Sequence, residues 1–303
     1  MADLSVNICG IEFKNPVIPA SGTFGYGREY EQYYPLSKLG GIATKGTTGS
    51  KRTGNLSPRV AETTAGMLNS VGLQNPGIDH FIAEELPHLM GCDTVILANI
   101  AGSTAEECAE VAAKLDQTDV HMIELNISCP NVKQGGAAFG TSCEAAAAVT
   151  RAVRQATKKP LCVKLSPNVT SITDIAKAVE AEGADALSLI NTLLGMRIDL
   201  RTRRPILHNN MGGFSGAAVF PVAVRMVYQV SRAVQIPVIG MGGIMSGEDA
   251  AEMMMAGASA IQVGTAVVQD PYAPLRIIDE LNGWLDANRV GRAADLTGTV
   301  MPW

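Results

Sequence analysis

The run Glu124-Leu125-Asn126-Ile127-Ser128-Cys129-Pro130-Asn131 carries the richest chemistry in the chain. A β-prone stretch runs into a thiol with amides on either side, which suits a reacting strand end better than a core. The segment that follows, Val132 to Gly140, holds Gly135, Gly136 and Gly140 and is expected to move over a ligand. Cys129 is therefore read as a reactive group beneath a lid. The other cysteines are Cys9, Cys92, Cys108, Cys143 and Cys162, with no C-x-x-C pair and no histidine at zinc-like spacing. Cys9, Cys92, Cys108 and Cys162 lie in apolar or helical patterns expected of buried structural thiols, and Cys143 lies at a helix start. His80, His88, His121 and His208 are dispersed, and no D-x-D pattern occurs, so no metal is expected.

Positioning such a group requires a frame, and the periodicity supplies one. Short β-prone runs occur at Pro16–Ser21, Gly41–Lys45, Thr94–Asn99, Met122–Ser128, Leu161–Leu165, Ala186–Asn191, Val238–Gly242 and Ala260–Gly264. Helical patterns fall at Ile78–Met90, Ala105–Leu115, Glu144–Thr157, Ile172–Glu182, Val222–Ala233, Gly247–Ala256 and Ala273–Ala287. Capped starts are read at Ser103-Thr104-Ala105-Glu106 and Ser246-Gly247-Glu248-Asp249. Eight alternations predict an α/β fold, a (β/α)8 TIM barrel forming a single domain over residues 1–303. The alternating residues Leu4 to Phe13 predict an N-terminal β-hairpin closing the bottom of the barrel. A doubly wound sheet is the alternative, but Ala20-Ser21-Gly22-Thr23-Phe24-Gly25 does not match its glycine fingerprint. Residues Gly46–Pro76 and Leu193–Phe220 are too long and polar for simple connections and are expected to be binding loops.

Composition narrows the classes of partner. Hydrophobic content is 47%, charged content 17% and net charge −5, which fits a globular protein with a large core. Basic residues are scattered apart from Arg201, Arg203 and Arg204, so nothing points to nucleic acid. No run reaches the roughly 18 apolar residues of a membrane helix. The N-terminus lacks the features of a signal peptide, and a cytoplasmic protein is expected.

In a barrel the strand ends share one rim. Here they read Ser21-Gly22, Lys45-Gly46, Asn99, Asn126 with Cys129, Lys164, Asn191-Thr192, Gly242-Gly243 and Gly264-Thr265. Each alone reads as a turn residue; together they predict a site. Gly242-Gly243 and Gly264-Thr265, after strands 7 and 8, suit a phosphate held by backbone N–H groups. Lys164, between Val163 and Leu165, is either a Schiff-base lysine or a cation beside a ring that becomes anionic on reduction. Asparagines can read the imide edge of a flavin or a pyrimidine, which favours the second reading and FMN as cofactor.

The stretches Asn126-Ile127-Ser128-Cys129-Pro130-Asn131, Thr44-Lys45-Gly46-Thr47, Asn69-Ser70-Val71-Gly72-Leu73-Gln74-Asn75-Pro76-Gly77 and Gly240-Met241-Gly242-Gly243-Ile244 resemble the dihydroorotate dehydrogenase family over nearly the whole chain. That resemblance implies an FMN-dependent barrel oxidising (S)-dihydroorotate to orotate in pyrimidine biosynthesis. A cysteine base resembles the class 1 enzymes. Gly-Leu-Gln-Asn-Pro-Gly and the Val132–Gly136 stretch resemble subtype 1B, which uses NAD+ through a partner subunit carrying FAD and a 2Fe-2S cluster. The implied assembly is a heterotetramer of two catalytic and two electron-transfer subunits built on a homodimer core. The resemblance makes Cys129 the base at substrate C5, with hydride passing from C6 to FMN N5. It assigns Ser21, Lys45, Gly46, Asn99, Asn126, Lys164, Ile190, Gly216, Gly242, Gly243, Gly264 and Thr265 to FMN, Lys164 facing N1–O2. Lys45, Asn69, Ser70, Val71, Gly72, Leu73, Asn126, Asn191 and Thr192 are implied to hold substrate. The rival readings are a related flavin barrel reducing dihydropyrimidines or dihydrouridine, a fumarate-using 1A enzyme, a Schiff-base lyase on Lys164, and a catalytically silent scaffold.

Overall fold

The computed structural model describes residues 2–128 and 139–303; Cys129, Pro130, Asn131, Gly135 and Gly136 lie outside the described residues. The frame consists of eight parallel strands: β1 (Val17–Pro19), β2 (Gly41–Ala43), β3 (Val95–Ile100), β4 (Met122–Asn126), β5 (Leu161–Lys164), β6 (Ala186–Leu189), β7 (Val238–Met241) and β8 (Ala260–Val263). Their spatial order is β1-β8-β7-β6-β5-β4-β3-β2. The two ends meet where Gly40 N donates to Val17 O at 3.1 Å, which closes the barrel and excludes the doubly wound alternative. Seven of the strands are buried at every position, because side chains fill the barrel on one face and helices cover the other. All eight sequence-read runs are present. Seven end one or two residues sooner than the sequence pattern, as the chain leaves the ladder to shape the rim, and β3 runs one residue further, to Ile100.

Local capping sets where the outer helices begin. Thr104 accepts a hydrogen bond from Glu107 N and starts Ala105–Asp116. Ser246 and Asp249 form a reciprocal capping box that starts Gly247–Met255. Residues 78–90 are helical throughout but contain a π turn at Phe81–Glu85. The hairpin pairs Val6–Ile8 with Ile11–Phe13 and inserts a fully buried Phe13. It sits at the N-terminal end of the barrel. Cys9 Sγ donates to Asp185 O just before β6, and Lys14 bonds Asp93 just before β3.

Two expectations need correction. The two long insertions are not simple loops: they pair into one antiparallel sheet in the order Leu193–Gly195, Gly212–Ser215, Gly66–Asn69, Val60–Thr63. Strands of three or four residues show no periodicity of their own, so only the long-range pairing Gly213 to Asn69 reveals them. Cys108 and Cys162 are fully buried as expected, whereas Cys9 and Cys92 are only half-buried because each lies in a turn at an end of the barrel or helix. A short helix, Thr265–Gln269, follows β8 directly, ahead of Ala273–Ala287.

Candidate active site

The C-terminal ends of the strands and the antiparallel sheet above them enclose a cavity of about 390 Å³. That volume suits a cofactor or small-molecule site. All the sequence-predicted contacts among the described residues line it except Ser70 and Gly216. Ser70 is fully buried: Asn69 faces the cavity, and the next side chain in an extended segment turns the opposite way. Gly216 serves a close approach instead. With φ +112, a Cβ there would lie 2.4 Å from Gly66 Cα, so glycine lets the two insertions pack together. Cys129 lies outside the described residues, one position beyond Ser128.

Backbone geometry packs Gly242 and Gly243 against Ile190, Phe220 and Ala223 and leaves Gly264 open. Gly242 and Gly243 adopt φ +121 and +81, and Gly264 would bring an added Cβ only to Ala20 Cβ at 3.6 Å. The space above Gly264 is therefore cavity rather than packing. Thr265 Oγ1 donates to Ser215 Oγ at 2.8 Å, tying this corner to the antiparallel sheet. On the 46–77 insertion, Asn75 accepts from Thr48 N and Gly77 N and donates to Leu73 O. These bonds hold Val71, Gly72 and Leu73 at the cavity wall.

Two polar clusters set what the cavity can recognise. Asn126 Oδ1 accepts from Ser128 N at 3.1 Å, Ser128 Oγ at 2.8 Å and Asn191 Nδ2 at 3.4 Å. Asn191 Nδ2 also donates to Ser128 Oγ. With its oxygen so engaged, Asn126 presents its N–H donors to the cavity. Lys164, only 5% exposed, opens on the same space, and no carboxylate lies within salt-bridge distance among the described residues. Asn99 donates to the fully buried Glu124. Cys162 is no second reactive thiol: burial, then the nearby Glu124 carboxyl, push its pKa well up.

Sequence reading missed Glu124 and Gln262, although each is a polar residue within an apolar strand run. It also missed Met67, Phe214 and Met241, apolar wall residues that carry no chemical signature. Among the described residues one cluster has metal-ligand spacing, Glu31, His88 and Cys92. It is not part of the cavity wall, and His88 Nε2 and Glu31 Oε2 pair with each other at 2.9 Å.

Comparison with known proteins is consistent along the chain. The family described as dihydroorotate dehydrogenase matches residues 3–285. A dihydroorotate dehydrogenase B (NAD(+)), catalytic subunit, of Shouchella clausii is 58% identical over 299 residues, covering 98% of each chain. Proteins of the same description from Alkaliphilus metalliredigens and Bacteroides thetaiotaomicron are each 54% identical, the latter covering 99% of both chains.

Proposed function

The chain belongs to the dihydroorotate dehydrogenase family, and we propose that it is the catalytic subunit of the NAD+-linked B type, oxidising dihydroorotate to orotate in pyrimidine biosynthesis. The observation that carries the site assignment is the convergence, in one cavity, of a buried lysine, the donor end of Asn126 and a glycine-lined corner that is open above Gly264. We further propose FMN as this chain's cofactor. Two buried oxygens, Asn99 Oδ1 and Gln262 Oε1, have no protein partner, and both residues line the cavity, so the site fits a ligand that donates hydrogen bonds. Gly242, Gly243, Gly264 and Thr265 would hold the phosphate, with Ser21, Lys45, Gly46, Asn99, Lys164 and Ile190 around the rest. FMN bound there supplies a two-electron acceptor for hydride.

The chain's own residues account for the rest. Asn126, with its oxygen tied to Ser128 and Asn191, offers fixed donors to a carbonyl or carboxylate of the substrate. Asn69, Val71, Gly72, Leu73, Asn191 and Thr192 would enclose the dihydropyrimidine and limit water. Lys164 would, as an ammonium at the wall, favour a ligand that gains negative charge during turnover. Cys129 would take the C5 proton, as a thiolate base at the end of the segment that Asn126 and Ser128 anchor.

Electrons would leave through an electron-transfer partner subunit, with FAD and a 2Fe-2S cluster, to NAD+. Copurification with that partner tests the reading. It predicts FMN from this chain and dihydroorotate-dependent reduction of NAD+. An FMN-only protein that reduces fumarate directly would refute the B-type assignment, and a colourless protein would refute FMN.

A further inference from the structure

Even-numbered strands place Glu124 (β4), Ser188 (β6) and Gln262 (β8) in the barrel interior, the arrangement that layered packing of alternate strands produces. Glu124 Oε2 accepts from Asn99 Nδ2 at 2.6 Å. Glu124 Oε1 accepts from Ser188 Oγ at 2.8 Å and from Gln262 Nε2 at 2.6 Å. A carboxylate offers acceptors only, so both amides must turn their NH2 groups down toward it. Their other ends, Asn99 Oδ1 and Gln262 Oε1, are two of six buried side-chain oxygens without a partner among the described residues, and the two whose residues line the cavity. Gly46 keeps one of them uncovered, since a Cβ there would lie 2.8 Å from Asn99 Oδ1. An unpaired buried acceptor is costly, so this arrangement calls for a ligand that donates to it.

We propose that Glu124 is a positioning residue that locks the amides of Asn99 and Gln262 with their carbonyl oxygens toward the cavity, so that the site selects a ligand carrying hydrogen-bond donors. This deepens the FMN reading and rests on it. In that cofactor the donor is either the ring imide N–H or a ribityl hydroxyl. Glu124→Gln keeps the shape but places an NH2 where an acceptor stood, so one neighbouring amide must reverse and turn its donors to the cavity.

The test measures dissociation constants of FMN, its N3-methyl derivative and its 2′-deoxyribityl derivative for the flavin-stripped wild-type chain and Glu124→Gln, by quenching of flavin fluorescence. For the wild type, at least one derivative should bind about tenfold or more weakly than FMN, because a buried acceptor loses its donor. In Glu124→Gln that same ratio should shrink to about threefold or less. The derivative that loses affinity identifies the donor. A purely structural role would weaken all three flavins alike and leave the ratios unchanged, which overturns the proposal; so does a wild type that binds both derivatives as tightly as FMN. Should Glu124→Gln not fold, Glu124→Asp withdraws the carboxyl by one methylene and is read by the same ratios. A wild-type chain that binds no FMN overturns the cofactor reading itself, whereas tight FMN binding with unchanged ratios overturns the positioning role alone.

Discussion

Gly243→Ala tests whether the glycine corner owes its shape to the close approach of Gly243 to the Phe220 backbone. Gly243 has φ +81, and a Cβ there would meet Phe220 N and Cβ at 2.7 Å and its Cα at 2.8 Å. Phe220 opens the helix Phe220–Ser231, so backbone rather than a flexible side chain must give way. A left-handed alanine costs about 1–2 kcal/mol, and overpacking adds about 1–3 kcal/mol. The lower entropy of the unfolded chain returns about 0.4–1 kcal/mol, leaving a net loss near 3 kcal/mol. For 303 residues the unfolding entropy at Tm is about 0.6 kcal/mol/K, so Tm should fall by about 5 °C. Because the shift displaces the end of β7 at the cavity, FMN affinity should also fall by about tenfold or more. Thermal unfolding by circular dichroism and flavin titration read the two effects. A variant with wild-type Tm and wild-type FMN affinity would refute the corner's geometry.

Three further outcomes follow from the same geometry. Lys164→Ala removes one of the two lysines at the cavity wall and should either lose FMN or slow its reduction by dihydroorotate by about a hundredfold; normal flavin content with normal reduction would contradict the role given to Lys164. Turnover should rise toward alkaline pH as the Cys129 thiol gives way to its thiolate, and Cys129→Ser should be slower by about a hundredfold or more near neutrality; a flat pH profile would count against a thiolate base. Stability should decline at high pH. Burial pushes the pKa of Cys9 up to about 11 and of Cys108 up to about 12 from 9.0, so above pH 9.0 the unfolded chain releases protons that the folded chain keeps. This contribution is intact below 9.0 and fades as pH climbs toward the folded values; Cys108→Ala should flatten the fall in Tm, and an unchanged fall would assign it elsewhere.

The barrel was legible because each strand is an apolar run of its own and several helix starts carry a side-chain cap, as at Thr104, Ser142, Ser171 and Ser246. Rim residues such as Lys164, Asn126 and Gly243 were legible because chemistry at a strand end is rare and here repeats around one circle. The antiparallel sheet over the cavity was not, since Gly66–Asn69 and Gly212–Ser215 meet only through pairing across more than a hundred residues. Ser70 was assigned to the site by its neighbours in a motif, while strand alternation turns it away. Glu124 and Gln262 were visible as polar interruptions, but their meaning depends on which amide end faces down, and that is decided in three dimensions by one carboxyl group.

The proposed mechanism has this cavity oxidise dihydroorotate with Cys129 as the base. It is tested most directly by anaerobic mixing of the FMN-loaded chain with (S)-dihydroorotate, following the visible flavin band. The wild type should bleach within a single turnover and release one orotate per flavin. Cys129→Ala should bind the same FMN and stay yellow on that timescale. A wild type that stays yellow, or a Cys129→Ala chain that bleaches at the wild-type rate, would contradict the account.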